Sequence, residues 1–226
     1  MANVTIVGYL RTNTQDQIPL STASIAEGTE STVTTDSAIT ITAQDVGTYK
    51  SGATVVSGEI FCPNNCSYAY ILRQGVVLAW LIPNVSGVSN REAKLSNPVT
   101  LRAGDQVRVM AQTATNRTAS LLVQTASGMS RIFTGVPSGA GTTNLLDITD
   151  SNSIGDTLQG QTIVQAVFLS IDGSKIISSG GAWIRSASGQ LAGAVPASNP
   201  TAVEPMPSSV MIPIALNYTA TVVTNA

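Results

Sequence analysis

Apolar and polar residues alternate along most of this chain in short runs with a period of two, the spacing that lays alternate side chains on opposite faces of a β-strand. Val4 to Leu10, Ala38 to Ala43, Thr54 to Phe61 and Tyr68 to Leu72 read in this way. So do Ala119 to Gln124, Arg131 to Gly135, Gln161 to Ile171, Gly180 to Arg185 and Ile214 to Val223. Val76 to Ile82 is apolar on both faces and is expected to be a strand buried on both sides. No stripe of period 3.6 exceeds two turns. Asn90 to Leu95 and Asn144 to Gly155 are expected to hold at most short helical pieces.

Turn residues punctuate these runs. Asp172-Gly173 between two strands predicts a two-residue hairpin, because both turn positions favour positive φ. Pro137 to Asn144 is a loop by composition, and the region 137–160 is the expected internal boundary of what is otherwise read as one domain over 1–226. Residues 196–213 carry Pro196, Pro200, Pro205, Pro207 and Pro213. Proline withdraws a ladder donor, so this segment is expected to run extended as an arm over a surface. Its apolar side chains Val203, Met206, Val210, Met211 and Ile212 are the expected intersubunit contacts. No clean internal repeat is visible.

Composition narrows the function classes. The chain has 226 residues, no histidine, 11% charged and 43% hydrophobic residues, and a formal net charge of −2. So few charges on so apolar a chain imply a surface covered largely by copies of itself. Without histidine, the readiest general base and the commonest zinc ligand are missing. Serine catalysis would need a Ser-Lys pair, yet none of Lys50, Lys94 and Lys175 stands in an S-x-x-K frame. Asp172-Gly173-Ser174 has the wrong order for an aspartic protease. Carboxylates for glycoside hydrolysis could come from Glu59, Glu92, Asp105 or Glu204, but their spacing selects no pair. The acidic run Asp147 to Asp156 lacks the spacing of a calcium loop and reads as a turn and cap. Trp80 and Trp183, each in an apolar strand, read as core rather than as sugar platforms. The expectation is a protein that is not an enzyme and needs neither cofactor nor metal.

Cys62 and Cys66 flank a turn closely enough for a local disulfide, with two reduced thiols as the alternative. Charge is uneven: −4 over residues 1–59, +5 over 60–131 and −3 over 132–226. The cations of the middle segment are scattered and aromatic residues make up only 4%, so pairing with acidic segments is expected in place of sequence-specific nucleic-acid binding. The start shows no basic and apolar leader, and synthesis in a cytoplasm is expected.

The sharpest local pattern is Leu101-x-x-Gly104-Asp105-x-Val107-x-Val109, a strand, a Gly-Asp turn and a second strand. It resembles the strand pair of jelly-roll domains of the C1q and tumour-necrosis-factor type and of several virion proteins. The texture of the whole chain resembles jelly-roll capsid and virion surface proteins of icosahedral viruses of microbes. That resemblance implies an all-β jelly-roll or related antiparallel β-sandwich that assembles into a viral shell, made in the host cytoplasm and located in the virion. It transfers no individual functional residue. Many RNA-packaging capsid proteins carry a basic arm, whereas Arg11 and Lys50 are the only cations before Arg73. The implied partners are therefore copies of itself, other virion proteins and an internal membrane layer. The rival reading is a trimeric receptor-binding or decoration head, which exposed aromatic residues on loops would favour.

Overall fold

The computed structural model describes residues 3–4, 7–21, 25–26, 35–50, 52–61, 68–82, 92–111, 118–137, 140–170, 177–198 and 208–224. It is all-β and antiparallel in nearly every pairing, as the alternation predicts. The strands are β1 (Asn3–Val4), β2 (Val7–Thr12), β3 (Gln17–Ser21), β4 (Ile25–Ala26), β5 (Thr35–Thr40), β6 (Thr54–Phe61), β7 (Tyr68–Arg73), β8 (Val76–Leu81), β9 (Ala93–Thr100) and β10 (Gln106–Ala111). They continue with β11 (Ala119–Thr125), β12 (Ser130–Gly135), β13 (Gly141–Asp147), β14 (Thr162–Ser170), β15 (Ile177–Arg185), β16 (Leu191–Ser198), β17 (Ser208–Pro213) and β18 (Thr219–Thr224). Two short helices interrupt them, α1 (Ala43–Thr48) and α2 (Ile154–Leu158). The chain divides into two compact units, Met1–Asn116 and Arg117–Ala226. The expected internal boundary at 137–160 falls inside the second unit, where it forms β13 and α2.

The first unit has two four-stranded sheets, ordered β5-β10-β7-β8 and β3-β2-β6-β9, with the small pair β1-β4 apart. Leu10, Ile18, Val55, Ile71, Ala79 and Val107 form the main core, and Ile60, Ala69, Leu81 and Val109 a second cluster. Val107 and Val109 thus point inward together, as the alternation in β10 requires.

In the second unit β13-β18-β15-β16 form one run of strands, and β12-β11-β14-β17 the other. Short bridges, β12 to β13 antiparallel and β14 to β16 parallel, join them into a closed ring. Its core holds Leu121, Val123, Phe133, Leu145, Phe168, Ile184, Val195 and Val222.

The two units repeat one topology. Taking the eight longer strands of each in chain order, one sheet reads third-eighth-fifth-sixth and the other second-first-fourth-seventh, in both units. Local chemistry repeats as well, at a constant spacing. Thr12-x-Thr14 returns as Thr125-x-Ser127, Ala69-Tyr70-Ile71 as Ala182-Trp183-Ile184, and Leu101-x-x-Gly104-Asp105 as Ile214-x-x-Asn217-Tyr218. Gly104 (φ 92°) and Asn217 (φ 62°) share the left-handed turn position, where glycine and asparagine are the residues least penalised. Both helices are capped alike. The Asp45 N–H donates to Thr42 Oγ at 3.2 Å and the Asp156 N–H to Ser153 Oγ at 3.2 Å, while each hydroxyl donates back to the aspartate at 2.6 Å.

Four local expectations are corrected. Asp172-Gly173 lies outside the described residues, but the strands on either side of it do not form a hairpin. β14 pairs with β11, β16 and β17, and β15 with β16 and β18. The helical piece expected over Asn90 to Leu95 is replaced from Ala93 by β9, whose Leu95 and Val99 are buried on the core side. The short helix of the second unit falls at Ile154–Leu158, after β13 has used Asn144 to Asp147 for pairing. The proline-rich segment is not one extended arm: its first residues end β16 and its last form β17. The ladder accommodates the prolines because pairing of β16 with β15 stops at Gly181 opposite Pro196, and Pro213 closes β17.

Candidate functional site

The outer face of the β3-β2-β6-β9 sheet carries a polar network assembled by strand register. Tyr9 lies opposite Glu59 and Arg11 opposite Ser57 across β2 and β6, and Ser57 lies opposite Lys94 on β9. Period two sends Leu10, Gly58 and Ile60 into the core and leaves Tyr9, Arg11 and Glu59 on the other face. Glu92, just before β9, closes the network. It accepts hydrogen bonds from the Ser57 hydroxyl, from Arg11 Nε at 2.5 Å and from the Tyr9 hydroxyl at 3.4 Å. Tyr9 also reaches Glu59 at 3.0 Å.

The electrostatics follow from this geometry. Desolvation alone would raise the Glu92 pKa, but the donors Ser57, Arg11 and Tyr9 together with the Arg11 charge outweigh it and hold the carboxyl below its ordinary value. Desolvation and the neighbouring Glu59 and Glu92 push the Tyr9 phenol up, against the opposing pull of Arg11. One phenol thus joins the two carboxylates that sequence spacing could not pair. The network lies on an open sheet face, and within it the Tyr9 and Ser57 hydroxyls and the Arg11 guanidinium already have partners. Such an arrangement fixes the side chains of a surface.

The Gly104-Asp105 turn is a structural latch. Asp105, 1% exposed, accepts two hydrogen bonds from Arg73, Nε to Oδ1 and NH2 to Oδ2, each 2.7 Å long. It accepts a third from the Arg102 N–H at 2.8 Å. Arg73 also donates to the Thr100 carbonyl at 2.9 Å, so one guanidinium ties the end of β7 to both sides of the turn. Donating to the Asp105 carboxylate raises the Arg73 pKa further. The scattered cations of the middle segment are thus partly spent on internal pairs: Arg73 with Asp105, and Arg131 with the buried Asp147 at 3.7 Å.

Asp147 uses Oδ1 to accept from the Thr149 N–H at 2.8 Å and hydroxyl at 2.6 Å, which makes the acidic run a turn, as read from its composition. Among the described residues no group of three His, Cys, Asp or Glu side chains converges. A shallow depression beside α1, lined by Thr12, Ile18, Val46, Tyr49 and Leu101, has room for little more than one water molecule.

The remaining sequence candidates scatter. Cys62, Cys66, Val203, Met206 and Glu204 lie outside the described residues. Ile212, 4% exposed, belongs to the second unit's own core and Val210 packs partly against that core, so these two do not supply an arm's contact face. Met211, the residue between them on β17, turns outward and is 76% exposed. Trp80 is buried as expected. Trp183 is only half-buried, with the Arg185 guanidinium 4.5 Å from its ring centroid. Tyr9, Arg11, Ser57 and Arg185 carry the surface chemistry without having stood out in sequence, because only the register of β2, β6 and β9 and a hairpin turn bring their partners to them.

Compared with known proteins, the chain matches no family model, no curated protein and no solved structure.

Proposed function

We propose that this chain is a self-assembling structural protein of a virion, a capsid or capsid-surface subunit built from two jelly-roll units. The strand order carries the jelly-roll part of the reading. Numbered along its chain, an eight-stranded jelly roll has sheets ordered first-eighth-third-sixth and second-seventh-fourth-fifth. Advancing every number by one, with the place of the last strand taken by the first, gives the order found in both units here. Each unit then corresponds to a jelly roll whose closing strand comes from its N-terminal side.

Assembly is supported by what the second unit leaves in water. Met211, Leu191, Val136 and Leu216 are about half exposed or more in a chain with few charges to keep it dispersed. A side chain of this size contributes roughly 1.5–3 kcal/mol when buried, so contacts of this kind would offset part of the cost of association. The native mass tests the reading. Sedimentation of the purified protein is expected to show megadalton particles. A stable trimer would favour the receptor-binding or decoration head, and a monomer at every concentration would overturn assembly.

A further inference from the structure

Two hairpins end in the same arginine device, and one of them lacks the partner that the other has. In the first unit Tyr9-Leu10-Arg11 leads into the turn Thr12 to Asp16. In the second Trp183-Ile184-Arg185 leads into Ser186 to Gln190. The turns are the same in detail. The fifth residue's N–H bonds the hydroxyl of the first, Asp16 to Thr12 at 3.1 Å and Gln190 to Ser186 at 3.2 Å, and the fourth residue is left-handed, Gln15 at φ 69° and Gly189 at φ 80°. Each arginine lies over the aromatic two residues before it, at 5.2 Å for Arg11 and 4.5 Å for Arg185. Each also donates NH1 to the carbonyl of the left-handed residue, at 3.4 Å and 3.0 Å.

They differ at the open edge of the guanidinium. Arg11 Nε holds the carboxylate of Glu92. Arg185 pairs with no carboxylate among the described residues. Ring and carbonyl fix its side chain in advance, so binding an anion there costs little further ordering, and a planar guanidinium matches a carboxylate in shape and charge. The same unit exposes an acid with no cation. Asp150 accepts only the Asn152 N–H, at 3.0 Å, among the described residues. Among the described residues Arg185 and Asp150 form no ion pair within one copy, which leaves both groups open to a second copy.

We propose that Arg185, held by Trp183 and Gly189, is a carboxylate receptor that takes Asp150 of a second copy of this chain. The occupant rests on the assembly reading; the receptor does not. Arg185→Asp and Asp150→Arg, each shown by circular dichroism to keep the β fold, are compared with the unaltered protein by sedimentation at low salt. Each alone is expected to need about tenfold or more higher concentration to associate, and the double variant, or a mixture of the two singles, to recover. Association of either single variant at the original concentration overturns the pairing, as does failure of the double variant to recover.

A second measurement needs no assembly. Succinate is titrated against tryptophan fluorescence at constant ionic strength, for the unaltered protein and for Arg185→Gln. A saturable change in the unaltered protein that the Gln variant lacks supports the receptor even if no particle forms, which would sink the shell reading alone. No saturable change in the unaltered protein overturns the receptor.

Discussion

Replacing Asp105 by alanine is expected to destabilise the first unit by about 3 kcal/mol. The carboxylate is 1% exposed and accepts three hydrogen bonds, two from Arg73 and one from the Arg102 N–H. Removing one member of a buried ion pair costs about 3–5 kcal/mol because the other charge is left uncompensated. The lower end applies here, since the Arg73 side chain keeps 25% exposure and water can take up part of its charge. The substitution Asp105→Asn keeps an acceptor for the Arg102 N–H but sets an amide donor against the guanidinium, so it should recover little. With urea slopes of about 1–3 kcal/mol per molar, the midpoint should fall by roughly 1–3 M. The assay follows Trp80, which is buried in the first unit, in a Trp183→Phe background that makes it the sole tryptophan. A double-mutant cycle with Arg73→Met isolates the pair, and a coupling above about 1 kcal/mol is expected for groups in direct contact. A loss below about 1 kcal/mol for Asp105→Ala, or a coupling near zero, would refute the latch.

Three further outcomes follow from the same structure. At Gly104 a Cβ would meet nothing, so only its φ of 92° matters: Gly104→Ala should cost about 1 kcal/mol and Gly104→Asn less, the residue that the second unit uses at Asn217, as read from thermal midpoints. Because the folded-state pKa of Glu92 is depressed, its contribution is present above the unfolded carboxyl pKa and is lost as pH falls through the folded value; Glu92→Gln should flatten that acid limb in urea titrations, and an unchanged limb would remove Glu92 from the account. On β17, Ile212→Ala should cost about 2–5 kcal/mol of stability by opening a core cavity, whereas Met211→Ala should leave unfolding within about 0.5 kcal/mol and weaken association in sedimentation.

Strand existence was legible because it depends on local alternation: Thr54–Phe61 appears with the bounds that the pattern predicts, and Val107 and Val109 face the core as read. Pairing was not legible, because it depends on residues far apart in sequence. Asp172-Gly173 has the composition of a hairpin, yet its flanking strands do not pair with each other, since β14 is claimed by β11 along nearly its whole length. Proline content misled for a related reason. A missing N–H forbids a ladder position only where a donor is required, and Pro196 sits where β16 leaves β15 for β14 while Pro213 closes β17.

The internal repeat escaped notice because the fold needs a conformation at its turns and leaves the side chain free. Position 104 in the first unit and 217 in the second require positive φ, which both glycine and asparagine supply. The next position, however, holds an anchoring aspartate in one unit and Tyr218 in the other, so the sharp pattern over Leu101–Val109 has a twin with almost no identity to it. The same freedom explains where surface chemistry diverges. Tyr70, buried in the first unit, corresponds to Trp183, half-buried in the second, where Arg185 can stack on it. Two units that share one backbone plan thus expose different groups: a hydrogen-bonded network around Glu92 in the first, and in the second an arginine that pairs with no carboxylate among the described residues.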